Sequence, residues 1–200
     1  MNFADFSLGT WHPEKGMYSV VEGMVKMAKE LGVQFSTNQN VKTICIKNGT
    51  ATGVIANGVQ INADVVVSGA NYNHSESLLK PKEKGFMDAY WGKKVFTPSS
   101  LLFFIGLDKK VKNVSHHTLF FDVDFDAHAR TPEWPKDHFF YGNFPSITDI
   151  SMAPEGKEAC FLLIPIGLRI EDTEEMRNKY FDMVIDRLEH LTKQSIKDSI

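Results

Sequence analysis

Two Asn-Gly pairs, at 48–49 and 57–58, constrain this chain more than any other feature. Each lies between segments that alternate apolar and polar residues, at 41–47, 51–56 and 59–62. Both residues of an Asn-Gly pair tolerate the positive φ of a two-residue type I′ turn, so the spacing predicts a three-stranded antiparallel meander. The segment that follows, 63–67, reads Ala-Asp-Val-Val-Val and is mostly apolar without alternation. That pattern predicts a strand buried on both faces, as in a parallel sheet. It runs into Ser68, Gly69 and Ala70, and an apolar strand ending in small residues commonly feeds a nucleotide site. Yet the chain contains no Gly-x-Gly-x-x-Gly turn to hold a pyrophosphate.

Upstream of the meander, Met17, Val20, Val21, Met24, Val25, Ala28 and Leu31 recur at spacings of three and four. They predict an amphipathic helix over 17–31, ended by Gly32. A short strand is expected at 33–36. Residues 71–95 read as irregular helix broken at Pro81. Beyond Pro98, strand patterns recur at 100–107, 118–123, 139–144 and 159–166, predicting an antiparallel sheet. The chain closes with a helix over about 173–195. Asp172 is the expected N-cap, with Glu175 as its capping-box partner and no glycine to stop the far end. Met176, Tyr180, Val184, Leu188 and Leu191 form its apolar face.

Composition narrows the function classes. A hydrophobic content of 42% and a charged content of 24% are those of an ordinary globular chain. A net charge of −3 gives no electrostatic reason to expect nucleic acid. No apolar run approaches the roughly 20 residues that span a bilayer. The first residues lack the basic and apolar regions of a secretory signal. Cys45 and Cys160 both sit in apolar strand patterns, where buried reduced thiols are expected. Most of the 15 phenylalanines fall after position 95, which fits either an aromatic core or a cavity for a long apolar ligand.

The polar constellations carry little chemistry by themselves. Asp122, Asp124, Asp126 and Glu133 have the acid spacing of a calcium loop, but Ala127 stands where the sharp turn requires glycine, and the flanking pattern is strand. His116 and His117 are adjacent, and neighbours on a strand point to opposite faces, so the pair is not expected to share one metal ion. No nucleophile elbow and no phosphate-binding loop is present.

Several stretches, in order, resemble bacterial phytoene desaturases, the carotenoid dehydrogenases of the flavin amine-oxidase-like superfamily. Trp11-His-Pro-Glu-Lys-Gly-Met17 is similar to that family's aromatic-x-Pro-x-Gly-Gly-Met element, with Lys15 where the family often has glycine. Val21-Glu-Gly-Met-Val-Lys26 with Leu31-Gly32 resembles the next helix. Asn40-Val-Lys-Thr-Ile44 resembles the strand whose valine meets adenine, and Ala63-Asp-Val-Val-Val-Ser-Gly-Ala-Asn71 the strand returning to the cofactor. Leu101-Leu-Phe-Phe-Ile-Gly-Leu107, His116-His-Thr118, Thr148-Asp149 and Met152-Ala-Pro-Glu-Gly156 resemble the substrate domain.

The resemblance covers about 9–191 and implies an α+β flavoenzyme, of which this chain is a central piece. Residues 9–83 would be part of an FAD-binding α/β unit with its meander. Residues 84–200 would form a substrate-binding domain, an antiparallel sheet with flanking helices. The implied reaction is FAD-dependent removal of hydrogen from a long apolar isoprenoid, giving a conjugated double bond. By the resemblance, Val41, Ser68, Gly69, Ala70 and Gly16 approach FAD. Trp11, Met17, Phe103, Ile105, Phe140 and Phe161 line or back the substrate cavity. No catalytic acid or base and no metal is implied, and weak or no FAD binding is expected for this piece alone. The substrate class suggests a cytoplasmic enzyme peripheral to the inner face of the cell membrane, and residues 86–96 read either as an amphipathic helix packed in the protein or as an interfacial anchor. A carotenoid isomerase, a retinol-saturase-like enzyme and a non-catalytic apolar-ligand module are the other readings.

Overall fold

The protein is described by a computed structural model covering residues 7–9, 11–94, 99–124, 138–167 and 170–200. It is α+β, and by compactness it divides into two units, Leu31–Val95 and Met1–Glu30 with Phe96–Ile200.

The smaller unit holds β1 (Val41–Lys47), β2 (Thr50–Ala56) and β3 (Val59–Asn62), paired antiparallel in that order. Both hairpins turn as their sequences require: Asn48 and Gly49 have φ of 47° and 77°, and Asn57 and Gly58 have 49° and 82°. The β1–β2 register shifts between Cys45 and Ile46, beside Gly53. Gly53 has a φ of 146°, and a Cβ there would stand 2.1 Å from the Ile61 carbonyl oxygen, so only glycine fits. Two short helices follow, α2 (Tyr72–Ser77) and α3 (Asp88–Trp91), separated by a 3₁₀ turn at Pro81–Glu83. Asn71 caps α2 by accepting from His74 N. Tyr72, Phe86, Tyr90 and Trp91 pack ring against ring, with Phe86 and Tyr90 stacked at 4.2 Å and Lys94 over the Tyr90 ring.

Two expected strands are not formed. Residues 33–36 and 63–67 are irregular, with a bend at Asp64, and join no ladder. A strand buried on both faces needs neighbours on both edges. Among the described residues, 63–67 has only the bond from Ala63 N to Thr52 O, and Val65 and Val67 are 74% and 88% exposed.

The larger unit begins with α1 (Tyr18–Glu30), the expected amphipathic helix, though none of its residues is buried. Its core is built on β4 (Ser99–Leu107), β5 (His117–Phe120), β6 (Phe140–Asn143) and β7 (Glu158–Ile166), an antiparallel sheet in the order β4-β7-β6-β5. One face of the sheet packs on α4 (Glu174–Thr192). Ile105, Phe140, Leu162 and Ile164 from the sheet meet Tyr180, Val184, Ile185 and Leu188 from the helix. Gly142 lets Phe144 and Phe120 close over β6, where a Cβ would come within 2.7 Å of the Phe144 ring.

The caps of α4 differ from the sequence expectation. Thr173 is the N-cap and accepts from Met176 N at 3.2 Å. Asp172 instead holds Arg177 through two bonds, at 2.7 and 2.5 Å. The helix ends at Lys193, which takes a left-handed φ of 56° without being glycine.

Candidate functional site

In the smaller unit, Val41, Ile44, Val54, Ser68, Gly69 and Ala70 line one concavity of about 410 Å³. The start of β1 supplies Val41, and the unpaired segment after β3 brings 68–70 back against it. Asn57 organises the rim: its side chain accepts from Asn40 N and donates to Asn38 O and to Gln39 Oε1. Ser68 Oγ and Ser75 Oγ are hydrogen-bonded at 2.7 Å, which ties the segment to α2. Val41, Ile44, Val54 and Leu78 make one apolar side of the wall, Gln39, Asn40 and His74 add polar groups, and nothing lies within 4 Å of a Cβ built on Gly69. A flat heterocycle is the chemistry these residues fit. Four of the five residues expected near a cofactor therefore come together. The fifth, Gly16, belongs to the larger unit.

In the larger unit the expected substrate residues divide between the two faces of the sheet. Ile105 and Phe140 are closed into the core under α4, and Phe103 packs there on Phe181 at 5.3 Å. Phe161 lies on the opposite, open face, in register with Phe104. Two cross-strand rows form that open face: Leu102, Leu163, Tyr141 and Leu119 in one, and Phe104, Phe161, Asn143 and His117 in the other. Phe104 is 78% exposed and Leu119 56%. Sequence reading missed Phe104 and Leu102, although their alternation with Leu101 and Phe103 marks two apolar faces.

The open face ends on β5 at a group of histidines. His117 Nδ1 is 2.5 Å from Tyr141 Oη, and Asn143 Nδ2 lies 3.2 Å from the same nitrogen. The His116 ring stands 4.3 Å from His117, and His12 stands 4.7 Å beyond it. The two adjacent histidines are thus side by side and not on opposite faces, because His116 sits in a bend before β5 begins. Among the described residues no group of three His, Cys, Asp or Glu side chains has metal-binding geometry. His116 Nδ1 is bonded to Thr148 Oγ1 at 2.5 Å, and His12 Nε2 approaches Asp149 at 3.6 Å. Burial, and then the neighbouring imidazoles of His117 and His12, push the His116 pKa below its usual range against the pull of Asp149. Together with Trp11 these residues line a cavity of about 470 Å³.

Asp149 is the anchor of this corner. It accepts from Ser151 N, Ser151 Oγ and Lys15 N, which hold its carboxyl below the ordinary carboxylate range. Lys15 has a φ of 66° and Gly16 of 84°. The left-handed backbone explains why the resembling element favours two glycines. A Cβ on Gly16 would meet Met152 Sδ at 3.0 Å, so the segment lies close on the 150–152 turn. Trp11 and Met17 flank it with exposures of 86% and 66%. Both cysteines are free, and burial, helped by Glu158, raises Cys160 to about 12, so it is no nucleophile at neutral pH. The acidic loop is only partly described: Asp122 pairs with Arg187, while Asp126, Ala127 and Glu133 lie outside the described residues.

The meander with its concavity and the sheet with one open aromatic face are the parts of a flavin oxidoreductase. Residues 1–179 match the family described as flavin containing amine oxidoreductase, and the chain belongs to that family. Within it, the chain is similar to a carotenoid 3,4-desaturase from Haloarcula japonica, at 34% identity across the whole chain and 41% of that protein. A zeta-carotene-forming phytoene desaturase from Myxococcus xanthus is 30% identical over 90% of the chain and 36% of its own length. The chain thus spans about two fifths of these relatives. A solved oxidoreductase from Methanosarcina mazei shares the fold, with a TM-score of 0.63 at 20% identity, over 90% of this chain and 40% of that one.

Proposed function

We propose that this chain is the central, largely substrate-binding portion of an FAD-dependent desaturase acting on a long apolar isoprenoid of the carotenoid class. Residues 9–83 serve the cofactor and 84–200 the substrate. The observation that carries the reading is the open face of the four-stranded sheet, where Leu102, Phe104, Phe161 and Leu163 lie uncovered beside one another. A hydrocarbon has no polar group to recognise, so affinity must come from apolar area, at about 25 cal/mol per Å² removed from water.

Val41 and Ser68–Ala70 would hold the adenine end of FAD. When bound, the cofactor would supply acceptance of a hydride from one carbon of a saturated CH2–CH2 unit as its neighbour loses a proton, and the chain orients the hydrocarbon and excludes water. No side chain of this chain is assigned as acid or base. Substrates of this kind partition into bilayers, which supports peripheral contact with the cytoplasmic face of the cell membrane. No described helix is long and apolar enough to cross one.

Substitution of Phe104 by Asp in the natural protein that contains this chain tests the reading. Phe104 is exposed, so the fold should persist. Turnover of a carotenoid substrate should fall at least tenfold with the flavin absorbance unchanged. Full turnover in the variant would remove the open face from the substrate path.

A further inference from the structure

The polar corner at the end of the apolar face has no use in binding a plain hydrocarbon. Row by row, the open face passes from Phe104 and Phe161 to Asn143 and His117, so a chain lying along that row meets polar groups only at its far end, on β6 and β5. His117 is also a wall of the 470 Å³ cavity that His12, His116, Thr148 and Asp149 share. The Nδ1 atoms of His116 and His117 are used by Thr148 and Tyr141, and their Nε2 atoms have no hydrogen-bond partner among the described residues. Exposed Trp11 adds an apolar side wall. Leaving imidazole nitrogens against hydrocarbon costs about 1–3 kcal/mol each, so an apolar chain end would be repelled here. A ligand oxygen would be held, because an imidazole supplies a donor or an acceptor according to its tautomer.

We propose that the His116–His117 corner is an end-group site that takes a terminal hydroxyl or carbonyl oxygen of an isoprenoid whose hydrocarbon body lies on the open sheet face. The inference rests on the reading of that face as the substrate surface. His117 is the specificity-determining contact, Tyr141 and Asn143 fix its ring, and Thr148 and Asp149 fix His116 and His12. One hydrogen bond distinguishes an oxygen-bearing end from a bare one by about tenfold at most.

The test is equilibrium binding to the natural holoprotein in detergent micelles, with three ligands of one carbon skeleton: geranylgeraniol, the corresponding aldehyde, and the hydrocarbon lacking the oxygen. At least one oxygenated ligand should bind 5- to 10-fold tighter than the hydrocarbon, and the tighter of the two identifies the end group. His117→Phe should remove that preference, the hydrocarbon binding tighter because the unpaired imidazole nitrogen is gone and the oxygenated ligands losing their partner. This variant should fold, because His117 is exposed and the Tyr141 hydroxyl keeps Asn143 at 3.1 Å. Tyr141→Phe should reduce the preference two- to threefold. Equal binding of all three ligands, or a preference that survives His117→Phe, overturns the end-group site and leaves the sheet face standing. Hydrocarbon affinity indifferent to Phe104→Asp overturns the sheet-face reading and this inference with it.

Discussion

Among the described residues the chain has two long amphipathic helices and two antiparallel sheets, and the members of each pair have different fates. Helix α4 buries Tyr180, Val184, Ile185 and Leu188 against the four-stranded sheet, whereas α1, with an equally clear apolar stripe, buries nothing. The four-stranded sheet and the helix packed on it supply most of the buried apolar residues, whereas Ala56 is the one buried apolar residue of the Leu31–Val95 unit among the described residues. Periodicity decides that a segment becomes a helix or a strand. It does not decide what covers the apolar side. The covered elements make the core of the larger unit, and the uncovered ones leave apolar side chains exposed.

The largest expected contrast is between the two helices. Leu188→Ala should cost about 2–5 kcal/mol in denaturant unfolding, because it opens a cavity in the core. Met24→Ala, at a residue 68% exposed, should change stability by no more than about 0.5 kcal/mol in this chain. A comparable loss at both sites would mean that α1 is packed and would erase the contrast.

Next in size is the register shift of the smaller sheet at Gly53. Gly53→Ala forces a Cβ onto the Ile61 carbonyl and should cost about 1–3 kcal/mol locally. Amide exchange should quicken across β1–β3 while β4, β7 and α4 keep their protection. Quickening in both units would show that they open together.

At the α4 start, Thr173→Ala should cost about 1 kcal/mol by loss of the cap. Asp172→Ala removes only an exposed ion pair and should cost less than loss of the cap. The reverse order would restore Asp172 as the cap.

The smallest effects are those of pH on the histidine corner. His116 has its pKa lowered in the fold, so the unfolded chain binds the proton more readily. Stability is therefore unaffected well above pH 6.5 and falls as pH drops through and below that value. His116→Gln should flatten the slope in a thermal-unfolding series. Asp149 has its pKa lowered too, and its contribution is present above about 3.8 and lost as pH falls below it. A stability that rises on acidification through the imidazole range would contradict the neutral His116.

The meander, the long strands β4 and β7 and helix α4 were all legible, because Asn-Gly turns and sustained alternation are local signals. The strands at 33–36 and 63–67 were misread, since a strand exists only with a hydrogen-bonded neighbour and sequence does not reveal whether one is at hand. Convergence of Val41 with Ser68, Gly69 and Ala70 was reached through a family resemblance, and the concavity then brought them together. The open sheet face was only half legible. Phe103, Ile105, Phe140 and Phe161 all lie in strands, but register and the position of α4 decide which faces are open, and these leave Phe104 and Leu102 exposed while Ile105 and Phe140 are buried. The histidine corner depends on Asp149, more than 30 residues from His116, and no local pattern announces such a contact.

The most direct measurement of the central claim is pigment analysis after expressing the whole natural reading frame in cells that accumulate phytoene or a more desaturated carotenoid. The account predicts new pigments with longer conjugation, together with a purified protein that carries flavin. Unchanged pigments from a protein that is folded and flavin-bound would contradict the carotenoid assignment and leave only the flavin oxidoreductase family.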